Sequence, residues 1–278
     1  MTNNFGKIIL AGVGVWILLS FMCYRQTNNL VNPAGTKISE RFLPPEGFTR
    51  ISQKPGSFGE FLQNISLKPH GTLVHLYNGA EKPAKVAAAV LSYDVGTKDL
   101  QQCADAVIRL RAEYLYAAKQ YGALHFNFTS GFNASYSKWR AGNRIAVKGN
   151  RVNWIGTTKE STSYQSFRDY LNIVFTYAGT ASLAKELKPV PLAQMQVGDV
   201  FILGGSPGHA VTVVDMAVNP RTDKKLFMIA QSYMPAQDIH ILVNKNKAAI
   251  SPWYELEENA ERIYTPEWTF EGHALKRF

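Results

Sequence analysis

Cys103, His209 and Gln231 are the residue types in this chain that could carry out nucleophilic chemistry together. Cysteine catalysis needs a thiol that can become a thiolate, a base that takes its proton, and a polar group that orients the base. Cys103 is the one cysteine outside the N-terminal apolar segment, which holds Cys23. His209 opens the run Ala210-Val211-Thr212-Val213-Val214, directly after Gly204-Gly205-Ser206-Pro207-Gly208. Gln231 stands where another apolar run, residues 226–230, stops. Each also has a plain structural reading, because free cysteines are among the most buried residues and a histidine on a core strand is often a satisfied core residue.

The elements that must position these residues follow from periodicity. Residues 198–203 and 209–215 read as two strands joined by a Gly/Pro turn. Strand alternation puts His209 on one face with Val211, Val213 and Asp215. Upstream, Leu100, Cys103, Val107, Leu110, Tyr114 and Ala118 form a helical stripe that Thr97 or Asp99 can cap and Gly122 ends. That cap puts Cys103 at about the fourth to sixth helical position, where the macrodipole's help is fading. Phe167, Tyr170, Leu171, Val174, Phe175 and Ala178 mark a second helix, stopped by Gly179, and residues 182–187 a short third. Earlier in the chain, residues 57–67 suit a helix, residues 72–77 a strand, and residues 86–95 are a further apolar run. Residues 125–129 alternate as a strand, residues 136–154 read as loops and short strands, and the tail after Pro252 has no clear period. Helices come first and consecutive strands last, which predicts an α+β fold with an antiparallel sheet.

The 278 residues, with 46% hydrophobic and 18% charged, suit one large or two small globular domains. Lys7 precedes an apolar run from residue 8 to 23, so residues 1–25 read as a signal peptide or N-terminal anchor. Residues 26–41 are polar and Pro/Gly-punctuated and read as a linker, leaving 42–278 as a single α+β domain. The formal net charge of +9 suits an anionic envelope surface. Lys224, Lys225, Lys245 and Lys247 are too small a cluster to argue for nucleic acid. Two cysteines exclude a disulfide scaffold.

Gly198-Asp199-Val200-Phe201-Ile202 followed by Gly208-His209-Ala210-Val211-Thr212-Val213-Val214 resembles the strand signature of NlpC-type cell-wall cysteine peptidases. The resemblance implies a papain-like core, with a cysteine at a helix start packed on an antiparallel sheet. It implies Cys103 as nucleophile, His209 as base and Gln231 as the orienting residue. Gln101, Gln102 and Tyr233 are then the candidates for oxyanion or substrate contacts. The family usually reads Asp-Cys-Ser at the nucleophile, whereas this chain has Gln102-Cys103-Ala104. Gln101-Gln102-Cys103-Ala104-Asp105, His125-Phe126-Asn127-Phe128-Thr129 and Gln231-Ser232-Tyr233-Met234-Pro235 also resemble an uncharacterised family of exported bacterial proteins with a domain of unknown function.

Three rival signals are weaker. Residues 204–208 match Gly-x-Ser-x-Gly, but that elbow needs a helix after the serine and here a strand follows. His75, His125, His209 and His240 show no metal-ligand spacing, so no metal or other cofactor is expected. Tyr136, Trp139, Arg140 and Trp154 could line a sugar groove, though ordinary packing explains them better. The leading expectation is an exported cysteine hydrolase, a peptidase or amidase, acting on cell-wall peptide in the periplasm or envelope. Its partners would be cell-wall peptide or glycan, with no nucleic acid and membrane contact only through the N-terminal segment. The alternative is a non-catalytic envelope binding or scaffolding protein. A thiol that alkylates readily near neutral pH would separate the two.

Overall fold

The computed structural model describes Met1, residues 30–156 and residues 158–278, so the segment expected to serve export or anchoring lies outside the described residues. The organising element is an antiparallel nine-stranded sheet. Six of its strands matter here: β1 (Ala87–Val90), β2 (Val200–Leu203), β3 (His209–Val218), β4 (Lys225–Gln231), β5 (His240–Leu242) and β6 (Leu275–Arg277). Their order is β1-β5-β4-β3-β2-β6, with Lys188–Pro189 beyond β6. Three helices bear on the site: α1 (Cys103–Ala117), α2 (Tyr164–Tyr177) and α3 (Thr180–Glu186).

The β2–β3 hairpin forms as alternation dictates, pairing Val200 with Thr212 and Leu203 with His209. Its turn is clamped from below. Thr180 Oγ1 donates to the Gly205 carbonyl at 3.1 Å, and a Cβ on Gly208 would meet Thr180 Oγ1 and Gly205 O at 2.4 Å. Gly205 itself needs φ +120°, which disfavours any side chain there. The expected alternation of β3 breaks at Val214. Met228 pairs with Asp215 and Ile229 with Val213, so Val214 is a bulge residue. Beyond it, Asp215 reaches Arg50 (2.8 Å) and Gln63 (2.6 Å) and is no longer in step with His209.

The single apolar stripe read for α1 is too narrow. Ala106 and Leu110 pack on the sheet with Met228, Ala230 and Ile241. Val107, Ile108 and Leu115 pack the opposite way, against Phe167, Tyr170 and Leu171 of α2. The helix therefore lies between the sheet and α2 and is buried on all sides, as a helix that is apolar round most of its circumference must be. Even Arg109 and Glu113 are buried, and they pair across one turn at 2.6 Å. The other face of the sheet packs Phe201, Val211, Val213 and Ile229 against Phe270 and Leu275. Among the described residues, no helix is long and apolar enough to cross a membrane.

Other sequence expectations need correction. The segment read as a linker is tied down from Leu30 on: Val31 bridges Phe42, and Ile38–Arg41 is a short helix with Ile38 fully buried. Residues 72–77 carry only the isolated bridges of His75 and Leu76, and no strand. Tyr136 and Trp139 sit in the core, where Tyr136 meets Tyr170 at 5.1 Å, so they line no sugar groove. Residues 136–154 hold a short helix, Tyr136–Arg140, then a hairpin of Asn143–Lys148 with Arg151–Gly156.

Candidate active site

Helix α1 begins at Cys103, with Gln102 as its N-cap, so the thiol sits in the first turn and not beyond it. The cap expected from Asp99 is lost to tertiary contacts, because Asp99 Oδ1 takes the Ala236 N–H (2.7 Å) and the Gln102 amide (3.0 Å). Asp105 instead accepts the Gln102 N–H at 3.0 Å. The first-turn N–H groups of Cys103 and Ala104 have no helical partner, as at any helix start. Ser232, next to Gln231, bonds the Gln101 carbonyl at 2.8 Å and so ties the helix entry to the end of β4.

Thr212 pairs with Ala230, which puts Gln231 on the same sheet face as Val211 and His209. The side chains meet there: His209 Nε2 lies 2.9 Å from Gln231 Oε1. The Gln231 amide is oriented by its other end, since its nitrogen donates to Glu267 Oε2 at 2.6 Å and lies 3.5 Å from His240 Nε2. An amide oxygen only accepts, so the network assigns the His209 proton to Nε2 and leaves Nδ1 as the basic nitrogen. Glu267 is held in turn by Lys82 at 2.8 Å.

Aromatic rings enclose this relay, with Tyr233, Trp268 and Phe270 centred 4.9, 5.2 and 5.8 Å from the His209 ring. Burial dominates the electrostatics and lowers the His209 pKa from 6.5 to about 4, while Gln231 and Glu267 raise it and Lys82 lowers it further. The ring is neutral at pH 7. Burial also raises the Cys103 thiol above its ordinary value, and Asp105 adds to that. The N–H groups of Ala104, Ala210 and Cys103 act in the opposite direction, and that of Ala210 brings the start of α1 against the start of β3. The resting pair is therefore a neutral thiol and a neutral imidazole.

Cys103 and His209 line one cleft of about 800 Å³, together with Gln102, Tyr233, Trp268 and the 205–208 turn. Gln101 faces away. Its carboxamide oxygen accepts from Arg109 Nη1 at 3.0 Å, and it lines a different cleft. Sequence reasoning missed Lys82, Asp105, Glu267 and Trp268. Asp105 was readable as a carboxylate in the first turn of a helix. Lys82 lies in a loop and Glu267-Trp268 in the aperiodic tail, so no local spacing announces them.

The opposed influences of Lys82 and Glu267 give a test. Lys82→Met should move the His209 titration upward from about 4, and Glu267→Gln, which keeps an acceptor for Gln231, should move it downward. Ring chemical shifts followed against pH read both. Shifts of the same sign in the two variants would overturn the relay.

A family model described as Domain of unknown function (4846) matches residues 38–277. No curated protein and no solved structure matches the chain.

Proposed function

We propose, for a chain that belongs to the family described as Domain of unknown function (4846), a papain-like cysteine hydrolase that cleaves an amide bond of cell-wall peptide. The observation that carries the reading is the His209–Gln231–Glu267 relay, which ends on an imidazole in the same cleft as a helix-start thiol. The substrate class rests on the resemblance of the 198–214 strand pair to cell-wall peptidases and on the net charge of +9. The N-terminal apolar run would take the protein to the envelope, where that substrate lies.

Because the resting pair is neutral, His209 works as a general base and not as half of a preformed ion pair. As the Cys103 sulfur adds to the carbonyl carbon, its proton passes to His209 Nδ1. The carbonyl oxygen becomes an oxyanion, stabilised by the first-turn N–H of Cys103, which has no helical partner, with Gln102 at the cleft wall. The C–N bond then breaks, and the imidazolium returns the proton to the leaving amine. Water then attacks the thioester while His209 takes its proton, the C–S bond breaks, and the imidazolium returns the proton to the Cys103 sulfur. Gln231 Oε1 holds the Nε2–H throughout, and the Glu267 carboxylate favours the transient imidazolium.

The raised thiol pKa and the lowered His209 pKa both favour a non-catalytic binding module, and the first changes what thiol chemistry can tell. In the free protein, alkylation of Cys103 by iodoacetamide should be slow at pH 7 and accelerate above pH 9 on either reading. A rate plateau extending to low pH would instead reveal a preformed thiolate and contradict the neutral pair. Turnover separates the readings. Purified cell-wall material incubated with the protein should release new amino groups and load Cys103 with an acyl group detectable by mass. Binding to the wall with neither product would leave the module.

A further inference from the structure

A second cleft, of about 490 Å³, adjoins the catalytic one, and Leu100 and Phe175 line both. Its walls carry two arginines with different duties. Arg109 is fully engaged: Nε bonds Glu113 (2.6 Å), Nη1 bonds Gln101 Oε1 (3.0 Å) and Nη2 bonds the Tyr164 hydroxyl (2.9 Å). The Arg168 guanidinium has no hydrogen bond or ion pair with any described residue, and its Nη1 is buried without an acceptor. Burial and the neighbouring Arg109 charge both disfavour its protonated form. Gln101 is 1% exposed, and with Oε1 given to Arg109 its Nε2 has no acceptor either.

The nearby acids are occupied elsewhere. Asp94 Oδ1 takes the Gly96 N–H at 3.0 Å, and Glu113 Oε1 is shared by Arg109 and the Tyr164 hydroxyl (2.7 Å). Both raise the Arg168 pKa through space without pairing with it. Lys98 adds a second unpaired positive charge to the lining. A half-buried guanidinium and a buried amide N–H, both lacking acceptors, are costly unless an anion supplies oxygens.

We propose that this second cleft binds a carboxylate-bearing ligand, held by the Arg168 guanidinium and completed by Gln101 Nε2. The planar guanidinium fork matches two carboxylate oxygens, and the nearby Asp94 and Glu113 weigh against a doubly charged phosphate. Arg168 and Gln101 both line this cleft. Resting on the hydrolase reading, the ligand is the acidic end of a peptide whose scissile amide crosses the shared Leu100–Phe175 wall to Cys103. The carboxylate site itself does not depend on turnover.

The test titrates the full-length Cys103→Ala protein with glutarate, neutral glutaramide and inorganic phosphate, reading thermal shift and amide chemical shifts. Glutarate should bind saturably, glutaramide should not, and phosphate should bind more weakly. Arg168→Met should weaken glutarate about tenfold or more, and Arg168→Lys should recover part of the loss. Melting curves without ligand confirm that the variants fold, and Gln101→Leu supplies a second variant expected to weaken binding. Glutarate affinity unchanged in Arg168→Met, phosphate binding tighter than glutarate, or no saturation would each overturn the site. Glutarate binding as expected, beside a wild-type protein that releases no amine from cell wall, would instead count against the hydrolase reading alone.

Discussion

Cys103→Ala and His209→Ala should each bring amine release from cell wall down to background, a loss of roughly 10⁴-fold or more. The two groups act as a unit, so the double variant should lose no more than either single one. Cys103→Ala removes one sulfur at 9% exposure and should leave the melting temperature within a few degrees. His209→Ala opens a gap between Tyr233, Trp268 and Phe270 and should cost more stability, so His209→Gln, which fills part of that gap, serves as its control. Turnover surviving in Cys103→Ala would end the cysteine mechanism, whatever the histidine variants show.

The second large effect is a gain. Asp105→Asn should stabilise the protein at pH 7 by about 1–2 kcal/mol. Burial holds the Asp105 pKa well above its ordinary value, and one of its oxygens has no partner. The sign follows from proton counts. Above pH 3.8 the unfolded chain ionises this group while the folded chain keeps it protonated, so the wild type loses stability as pH rises through that window. An asparagine does not titrate, and its side-chain oxygen can still accept the Gln102 N–H. The gain should therefore shrink as pH falls and vanish below about pH 4. Urea unfolding of both proteins at pH 4 and pH 7 measures it, and equal differences at the two pH values would refute it.

His209 and His240 respond to pH with the opposite sign. Burial lowers both to about 4, so each favours unfolding as pH drops from 6.5 toward 4. Asp105 and the two rings thus oppose one another over an overlapping range. The wild-type profile alone is a poor measure of any of them, and paired variants are the better one.

Legibility in the sequence divides along the same physical lines. Two-residue alternation and a Gly/Pro turn are local, and from them His209 and Gln231 could be put at neighbouring strand ends. The helix holding Cys103 was equally legible from its apolar spacing. Its start was not, because the Asp99 carboxylate that looked like a cap is taken by the Ala236 N–H, more than a hundred residues away. The bulge at Val214, which turns Asp215 toward Arg50, leaves no mark on composition. Glu267 reaches Gln231 across 36 positions, and Lys82 reaches Glu267 from the far end of the domain's sequence. Such contacts exist only once the sheet has formed, and no window of the sequence contains both partners.

The protonated, buried state of Cys103 has a consequence for its resistance to oxidation. Peroxides and disulfides attack the thiolate, and a thiol held above its ordinary pKa presents very little of it. On the proposed hydrolase reading, a nucleophile that ionises only as a carbonyl arrives would be shielded between turnovers from sulfenic acid formation and from mixed disulfides, without a reductant to rescue it. Slow thiol chemistry at rest and resistance to oxidants then have one cause, the enclosure of the α1 start by β3 and the aromatic wall.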